Sequence, residues 1–386
     1  MKNFRDFPLL ESKKKHVPLF YPHIPKNSAN SIKRLLKTRW IGQGPLVDKF
    51  ENVFSQKFGG KLETVAVGSG TDALHLSYLL AGIKKNDEII CPVFTCTATN
   101  IPLLYIDAKI KFADVNLHDL NINIDHVEKL ITKKTKAIVF VNYGGLLCDL
   151  DRLNKLAKKH KLILIQDAAQ SLGAKYKNKD IAKYADFTIF SFQAIKHITS
   201  GDGGALSVKN KKLAQKGRVI RWFGIDRPKK QGGTWENDIV DIGYKYQMTD
   251  IGAALLLDAI KEFKIIKRKR NEIHKIYQKN LQNIDNLYFI KNNDNKAKPV
   301  IWLTTILTKH KDFLQKKLRD RLIESNQVHF RNDRYSIFKK FCKNKKFPNM
   351  DLIENDYLVI PTHTKMSNSD ATLVSKNVID ILSKKK

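Results

Sequence analysis

One lysine, Lys196, stands in the stretch SFQAIKHITSGDGG between a serine, Ser191, and the turn Gly201-Asp202-Gly203-Gly204. An amine near the end of a buried strand is partly desolvated, which lowers its pKa and makes it nucleophilic toward a carbonyl carbon. A second feature is KLILIQDAAQS, in which Asp167 closes a fully apolar run. An acid there can cap a helix, ligate a metal or partner a buried cation. Gln170, three residues on, falls on the same side of the following turn. The third feature is VAVGSGTDALHL, a strand, a small-residue turn and a helix start. Gly68, Ser69, Gly70 and Thr71 let backbone N–H groups approach an anion, which the helix dipole favours. Neither GK[ST] nor G-x-G-x-x-G is present, so this is not a P-loop or a dinucleotide fingerprint.

Lys and Arg make up 70 of the 386 residues, so any one lysine is by default a surface ammonium. Lys196 is singled out by its company. Phosphate donors, a carboxylate for a pyridinium nitrogen and a lysine are the parts that a pyridoxal phosphate site needs.

Those residues must be delivered to one place, and the texture of the chain supplies the means. From about residue 63 to 208, short apolar runs alternate with helix-like segments. The runs are ETVAV, DEIIC, AKIKFADV, TKAIVFVN, KLILIQD, ADFTIFSF and GGALSV. Several are apolar on both faces, as strands buried in a mostly parallel sheet must be. Amphipathic stretches such as DLDRLNKLAKKHK lie between them, with Asp149 or Asp151 as N-cap. The alternation implies an α/β layered sheet that binds ligands at the carboxyl ends of its strands. Beyond residue 250, TDIGAALLLDAIKEFKIIKRKRNEIHKIYQKNL reads as one or two long helices capped by Thr249 or Asp250. A polar, Asn- and Lys-rich region with short apolar runs such as VIWLTTIL follows. The expected division is a large domain over residues 1–250 and a linking helix with a smaller α+β domain over 251–386. The first ~30 residues are expected to pack on the small domain.

Composition excludes several classes. The formal charge of +32 suggests nucleic acid, but the lysines are spread along the whole chain and form no basic stripe. No specific nucleic-acid partner is expected, only adhesion at low salt. No run approaches the ~18 apolar residues of a membrane span. MKNFRDFPLLESKKK is too charged for an export signal. The four cysteines, Cys91, Cys96, Cys148 and Cys342, form no CxxC pair, so neither a metal site nor a disulfide framework is expected. The expected location is the cytoplasm.

With these residues in place, the chain resembles the DegT/DnrJ/EryC1/StrS sugar aminotransferases, a branch of the fold-type I pyridoxal-phosphate enzymes. The resemblance runs from WIGQGPLVDKFENVFSQKFGG through GSGTDAL, CPVFTCTATN, FADV, DAAQSLGA and SFQAIKHITSGDGG to RWFGIDR and DIGYKYQMTDIGAALL. It implies that Lys196 holds the cofactor covalently, that Asp167 pairs with the pyridine nitrogen, and that Gln170 contacts the phenolic oxygen. Gly70, Thr71 and Ser191 are implied as phosphate ligands. Where relatives read GYNYR, with the asparagine lent by the other subunit, this chain reads GYKYQ, which puts Lys245 at that position. Cys96 stands where many relatives stack an aromatic ring on the cofactor, with Phe94 as a candidate substitute. Arg331, in VHFRNDRYSIF, is a candidate to hold a substrate carboxylate or diphosphate, against the alternative of a surface arginine. His197 is structural or substrate-adjacent. A few dehydratases of the family carry histidine in place of the lysine; here the lysine is kept, which favours transamination. The implied reaction moves an amino group from L-glutamate to a nucleotide-linked 4-keto-6-deoxysugar, for surface polysaccharide or a glycosylated product, in a homodimer with shared sites. A 3-keto sugar, or a non-transaminating reaction on the same fold, is the alternative.

Overall fold

The computed structural model describes residues 16–226, 238–292 and 295–384. The stretch judged for export, Arg227 of the RWFGIDR motif and the last two lysines lie outside the described residues.

The elements begin with α1 (Ser28–Leu35) and α2 (Pro45–Lys57), then β1 (Glu63–Val67), α3 (Gly70–Leu80), β2 (Glu88–Pro92), α4 (Thr97–Leu104) and β3 (Lys109–Ala113). They continue through α5 (Ile124–Leu130), β4 (Thr135–Val141), α6 (Leu150–Lys159), β5 (Ile163–Asp167) and the short β6 (Lys175–Tyr176) and β7 (Lys179–Asp180). β8 (Phe187–Ser191), β9 (Gly204–Val208) and α7 (Lys211–Ile220) follow. Beyond them lie α8 (Asp250–Leu281), β10 (Tyr288–Phe289), β11 (Ala297–Lys298), β12 (Thr304–Leu307), α9 (Lys311–Asp320), α10 (Pro348–Ile353), β13 (Tyr357–Ile360) and α11 (Asn368–Ser383).

All seven expected runs enter one seven-stranded sheet, in the order β1-β9-β8-β5-β4-β2-β3. Its strands are parallel except that β9 is antiparallel to both neighbours, β1 and β8. Side chains alternate across it: Val65 and Val67 of β1 join one apolar cluster, and Ala66 joins the other. One face is covered by α3, α4 and α7 through Leu74, Leu76, Leu103 and Ile220. The opposite face is covered by α2, α5, α6 and α8, with Phe50, Phe54, Phe190 and Phe192 meeting edge to face at 5.0–5.5 Å. Each fully buried phenylalanine contributes roughly 1.5–3 kcal/mol, so this cluster anchors α2 firmly.

Helix starts are set by side chains that the sequence names. Ser69 accepts from the Asp72 N–H at α3, and Asp149 rather than Asp151 caps α6 by accepting from Arg152. Thr249 caps α8, which is one unbroken helix of 32 residues. Its first half buries Ala253, Leu256, Ile260 and Phe263 against the large sheet. Its second half buries Ile273, Tyr277 and Leu281 in a separate core with Leu314, Leu358, Val374 and Val378. That second core is built on the three-stranded sheet β10-β12-β13. Val17 bridges to Ile323, Leu19 N–H donates to Glu324, and Pro18 O lies 3.0 Å from His363 Nε2, so residues 17–19 sit on this part of the chain.

Because the parallel strands share one direction, the segments after β1, β2, β4, β5 and β8 all emerge at the same edge of the sheet. The first residue of β9 pairs there with the last residues of β1 and β8: Gly204 with Val67 and with Ser191.

Candidate active site

The turn between β1 and α3 is built by close approach. A Cβ on Gly70 would lie 2.8 Å from the Ser191 Cβ, and one on Gly204 would lie 2.2 Å from the Ser69 carbonyl oxygen. Only glycine permits this packing. It sets Ser191 directly beside Gly70 in the first turn of α3, with Thr71 next in line and half-buried. Free N–H groups, the positive end of the helix dipole and a hydroxyl thus converge on one spot, an arrangement suited to a phosphate.

Asp167 ends β5 with 4% of its surface exposed. The Thr99 hydroxyl donates to Oδ2 at 2.8 Å, and the Ala169 N–H donates to Oδ1 at 3.0 Å. Asp167 therefore caps no helix, and among the described residues no cation lies within ion-pair distance of it. Burial pushes its carboxyl pKa upward; the Thr99 and Ala169 hydrogen bonds and the charge of Lys196 oppose that rise. Gln170 is buried with its Oε1 accepting from the Gly144 N–H at 2.7 Å and its Nε2 3.2 Å from His329 Nε2.

Lys196 is half-buried as a residue, but burial around its ammonium pushes its pKa down to about 8. Cys96 and Asp167 pull the other way, and Arg270 adds to the depression. Nζ sits 3.7 Å from the centroid of the Trp302 ring. His329 is buried nearby, and burial together with the Lys196 charge lowers its pKa to about 3. His197 is buried behind the loop and kept neutral by burial and by the charges of Arg270 and Lys196, so it is a core residue rather than one facing a substrate.

The remaining candidates differ in their surroundings. Cys96 immediately precedes α4 and is half-buried, near enough to Lys196 to act on that amine. Phe94 does not stand in for a stacking ring: it is buried among Tyr143 and Tyr357, each at 5.0 Å between ring centroids. Lys245 is exposed, its ammonium 3.9 Å from the centroid of Trp222. The expectation that Arg331 holds a substrate anion is corrected. Its guanidinium is 3% exposed and already engaged by Asp333 at 2.7 Å, Asp351 at 2.5 Å and Glu354 at 2.8 Å. Those carboxylates hold its pKa above the usual range despite burial. It is neither a substrate clamp nor a surface arginine.

Four residues of this cleft carry no sequence signal of their own. Thr99 lies in the CTATN segment, and only the Asp167 contact gives it a role. Trp302 reads as one member of an apolar run, Arg270 as one basic residue among many on a long helix, and His329 as an isolated histidine.

The donor set fits pyridoxal phosphate. Asp167 is a buried carboxylate with two neutral donors and no cation, which leaves it free for a protonated ring nitrogen. The crowded glycine turn with Ser191 suits the phosphate, and Lys196 is an amine with lowered pKa. A cavity of about 680 Å³ that opens beside β3, lined by Lys109, Lys111, Phe112, Lys345 and Phe347 among others, contains none of these groups. Charge geometry, and not cavity size, marks the site.

A model of the DegT/DnrJ/EryC1/StrS aminotransferase family matches residues 22–379. The chain is 33% identical over 376 residues to UDP-4-amino-4,6-dideoxy-N-acetyl-beta-L-altrosamine transaminase of Campylobacter jejuni, covering 95% of this chain and 97% of the relative. It is 29% identical over 375 residues to GDP-perosamine synthase of Escherichia coli O157:H7, covering 96% and 100%. Among solved structures, AtS13 from Actinomadura melliaura matches with a TM-score of 0.89 at 25% identity, covering 96% of this chain and 100% of that one. The PLP form of the putative sugar aminotransferase Spr1654 from Streptococcus pneumoniae matches with a TM-score of 0.89 at 24% identity, covering 96% and 99%.

Proposed function

This chain belongs to the DegT/DnrJ/EryC1/StrS aminotransferase family and is a pyridoxal-phosphate-dependent transaminase of fold type I; on that premise we propose that it moves an amino group from L-glutamate to C4 of a nucleotide-linked 4-keto-6-deoxysugar. The observation that carries the site assignment is a buried lysine amine and a buried carboxylate within each other's field, each without an ion-pair partner among the described residues. The preference for C4 is supported by the Campylobacter jejuni relative, a transaminase whose name specifies a UDP-linked 4-amino-4,6-dideoxy sugar. Glutamate is the donor that the family resemblance implies.

Bound pyridoxal phosphate supplies an electron sink conjugated to the carbon that loses and gains nitrogen. Gly70, Thr71 and Ser191 would hold its phosphate, and Asp167 would keep the ring nitrogen protonated. Gln170, fixed by Gly144 and His329, would contact the phenolic oxygen. Lys196 would anchor the cofactor through Nζ, and its free amine would take the donor's α-proton onto Nζ as a general base. In the second half it delivers a proton from Nζ to the sugar carbon that receives nitrogen. A lowered pKa suits both duties, because the same amine must be neutral to accept and protonated to give.

The reading extends to a homodimer in which the partner's copy of Lys245 reaches the phosphate as a point charge. Exposed Phe223, Ile239, Val240 and Ile242 beside this segment support a covered surface there. The product serves a surface polysaccharide or another glycosylated compound, and the enzyme works in the cytoplasm, where its nucleotide-sugar substrate is made. No described helix is long and apolar enough to cross a membrane.

The test is a panel of dTDP-, UDP- and GDP-linked 3-keto and 4-keto sugars incubated with glutamate and analysed by mass spectrometry. Exchange of the keto oxygen for an amino group at C4 is expected. Turnover of 3-keto sugars alone would overturn the regiochemistry.

A further inference from the structure

Trp302 encloses the Lys196 amine more closely than any carboxylate does. Its indole N–H donates to the Ile195 carbonyl at 2.9 Å, which pins the ring to the backbone of the loop that carries the lysine. The tryptophan is itself fixed from behind. Its backbone N–H donates to Gly144 O at 2.8 Å, and its carbonyl accepts from Arg270 at 3.0 Å. Phe20 stacks on it at 6.0 Å and 20°, and His329 at 5.8 Å and 29°, leaving 1% of its surface exposed. An aromatic face stabilises an ammonium but not a neutral amine, and it has no basic atom that competes for the proton. A carboxylate in the same place would hold the lysine permanently charged. The groups acting on this amine are Asp167 and Cys96, which favour charge, and Arg270, which opposes it; His197 and His329 stay neutral.

We propose that Trp302 is a positioning residue for Lys196: pinned to the preceding carbonyl, its indole holds the amine whenever that amine is not joined to the cofactor, and it stabilises the proton-loaded form. The inference rests on the reading of Lys196 as the cofactor lysine. The step it serves balances without a further reactant. The donor's α C–H bond breaks, its electron pair stays with carbon, and the proton forms a new N–H bond at Nζ. That N–H bond would then break as the same proton forms a C–H bond at the cofactor carbon that keeps the nitrogen, and the amine returns to neutral.

The experiment compares Trp302→Leu, which loses the ring, with Trp302→Phe, which keeps a π face but loses the indole N–H. Reaction of the apoenzyme with pyridoxal phosphate is followed by absorbance across pH. The half-maximal pH is expected to fall by about one unit in Trp302→Leu and by less in Trp302→Phe. Single-turnover proton transfer from glutamate should slow roughly tenfold in Trp302→Leu, with a larger isotope effect for α-deuterated glutamate. Because either variant can fail to fold, a wild-type measurement stands beside them. One tryptophan indole 15N–1H signal of the apoenzyme should titrate near pH 8 and lose that titration in Lys196→Ala. Variants that match wild type in half-maximal pH, or the absence of any such titrating signal, would overturn the proposal. If Lys196→Ala still attached the cofactor, the lysine assignment itself would fall, and absorbance separates that outcome from the other two.

Discussion

Lys196 and Arg331 are two cations that the fold takes out of water, and it treats them in opposite ways. Arg331 meets three carboxylates, from Asp333, Asp351 and Glu354, and its pKa rises. Lys196 meets the face of Trp302, the more distant fields of Cys96 and Asp167, and the repulsion of Arg270, and its pKa falls to about 8. A neutralised buried charge has spent its reactivity on the fold, whereas an unneutralised one keeps it. Charge type alone does not separate a structural cation from a chemical one; the number and sign of its partners do. Lys245, exposed over Trp222, is a third case, already solvated and cheap to alter.

The comparison breaks first at Lys196. Lys196→Ala should yield a folded, colourless protein whose transamination falls by at least ~10³-fold, measured as 2-oxoglutarate release. Retained cofactor absorbance would show that the wrong lysine had been chosen. Asp167→Asn keeps shape and removes charge, and is expected to lower the rate by about 10²–10³-fold while phosphate binding survives. A variant with near-normal turnover would remove the ring-nitrogen role.

Arg331→Met tests the other side. Three carboxylates lose a common partner, and stability should fall by about 3 kcal/mol, the low end for a broken buried pair because Asp351 remains half exposed. Denaturant melts report the loss, while turnover per folded molecule should stay near wild type. A selective rise in KM for the sugar, at unchanged stability, would restore the substrate role that its ion pairs argue against.

The pH dependence of cofactor attachment gives a smaller effect with a definite sign. Neutral Lys196 is the reactive form, so the rate should rise with pH and level off above about 8, instead of climbing toward the ordinary lysine value of 10.5. Between pH 7 and pH 9 the expected gain is roughly tenfold. A plateau reached only near the ordinary lysine value would mean that burial does not act on this amine. Lys245→Ala should do least, weakening cofactor retention by roughly threefold to fivefold with kcat unchanged, as befits one exposed charge. Dialysis against buffer, with absorbance as the readout, measures it.

Much of the architecture was legible in the chain because its signals are local. Strands apolar on both faces, cap residues such as Ser69 and Asp149, and the glycines before α3 act over a few residues, and each left its mark in sequence. The reversed direction of β9 left none, since a strand buried on both sides looks the same in either direction. Phe94 looked available for stacking because a sequence shows an aromatic ring but not the tyrosines around it. Arg331 looked free because two of its three carboxylates come from Asp351 and Glu354, 20 and 23 residues further on.

By itself, then, the sequence determined the alternation of strand and helix, the strand-end positions of Asp167 and Ser191, and the presence of Lys196 on the loop between β8 and β9. These follow from periodicity and from residues that set their own neighbours' conformation. Only the tertiary structure decided which charges stay unpaired. Pairing depends on side chains brought together from distant parts of the chain, as when Trp302 closes over Lys196 and Thr99 donates to Asp167. A cation becomes inert or reactive according to the field around it, and that field exists only once the chain has folded.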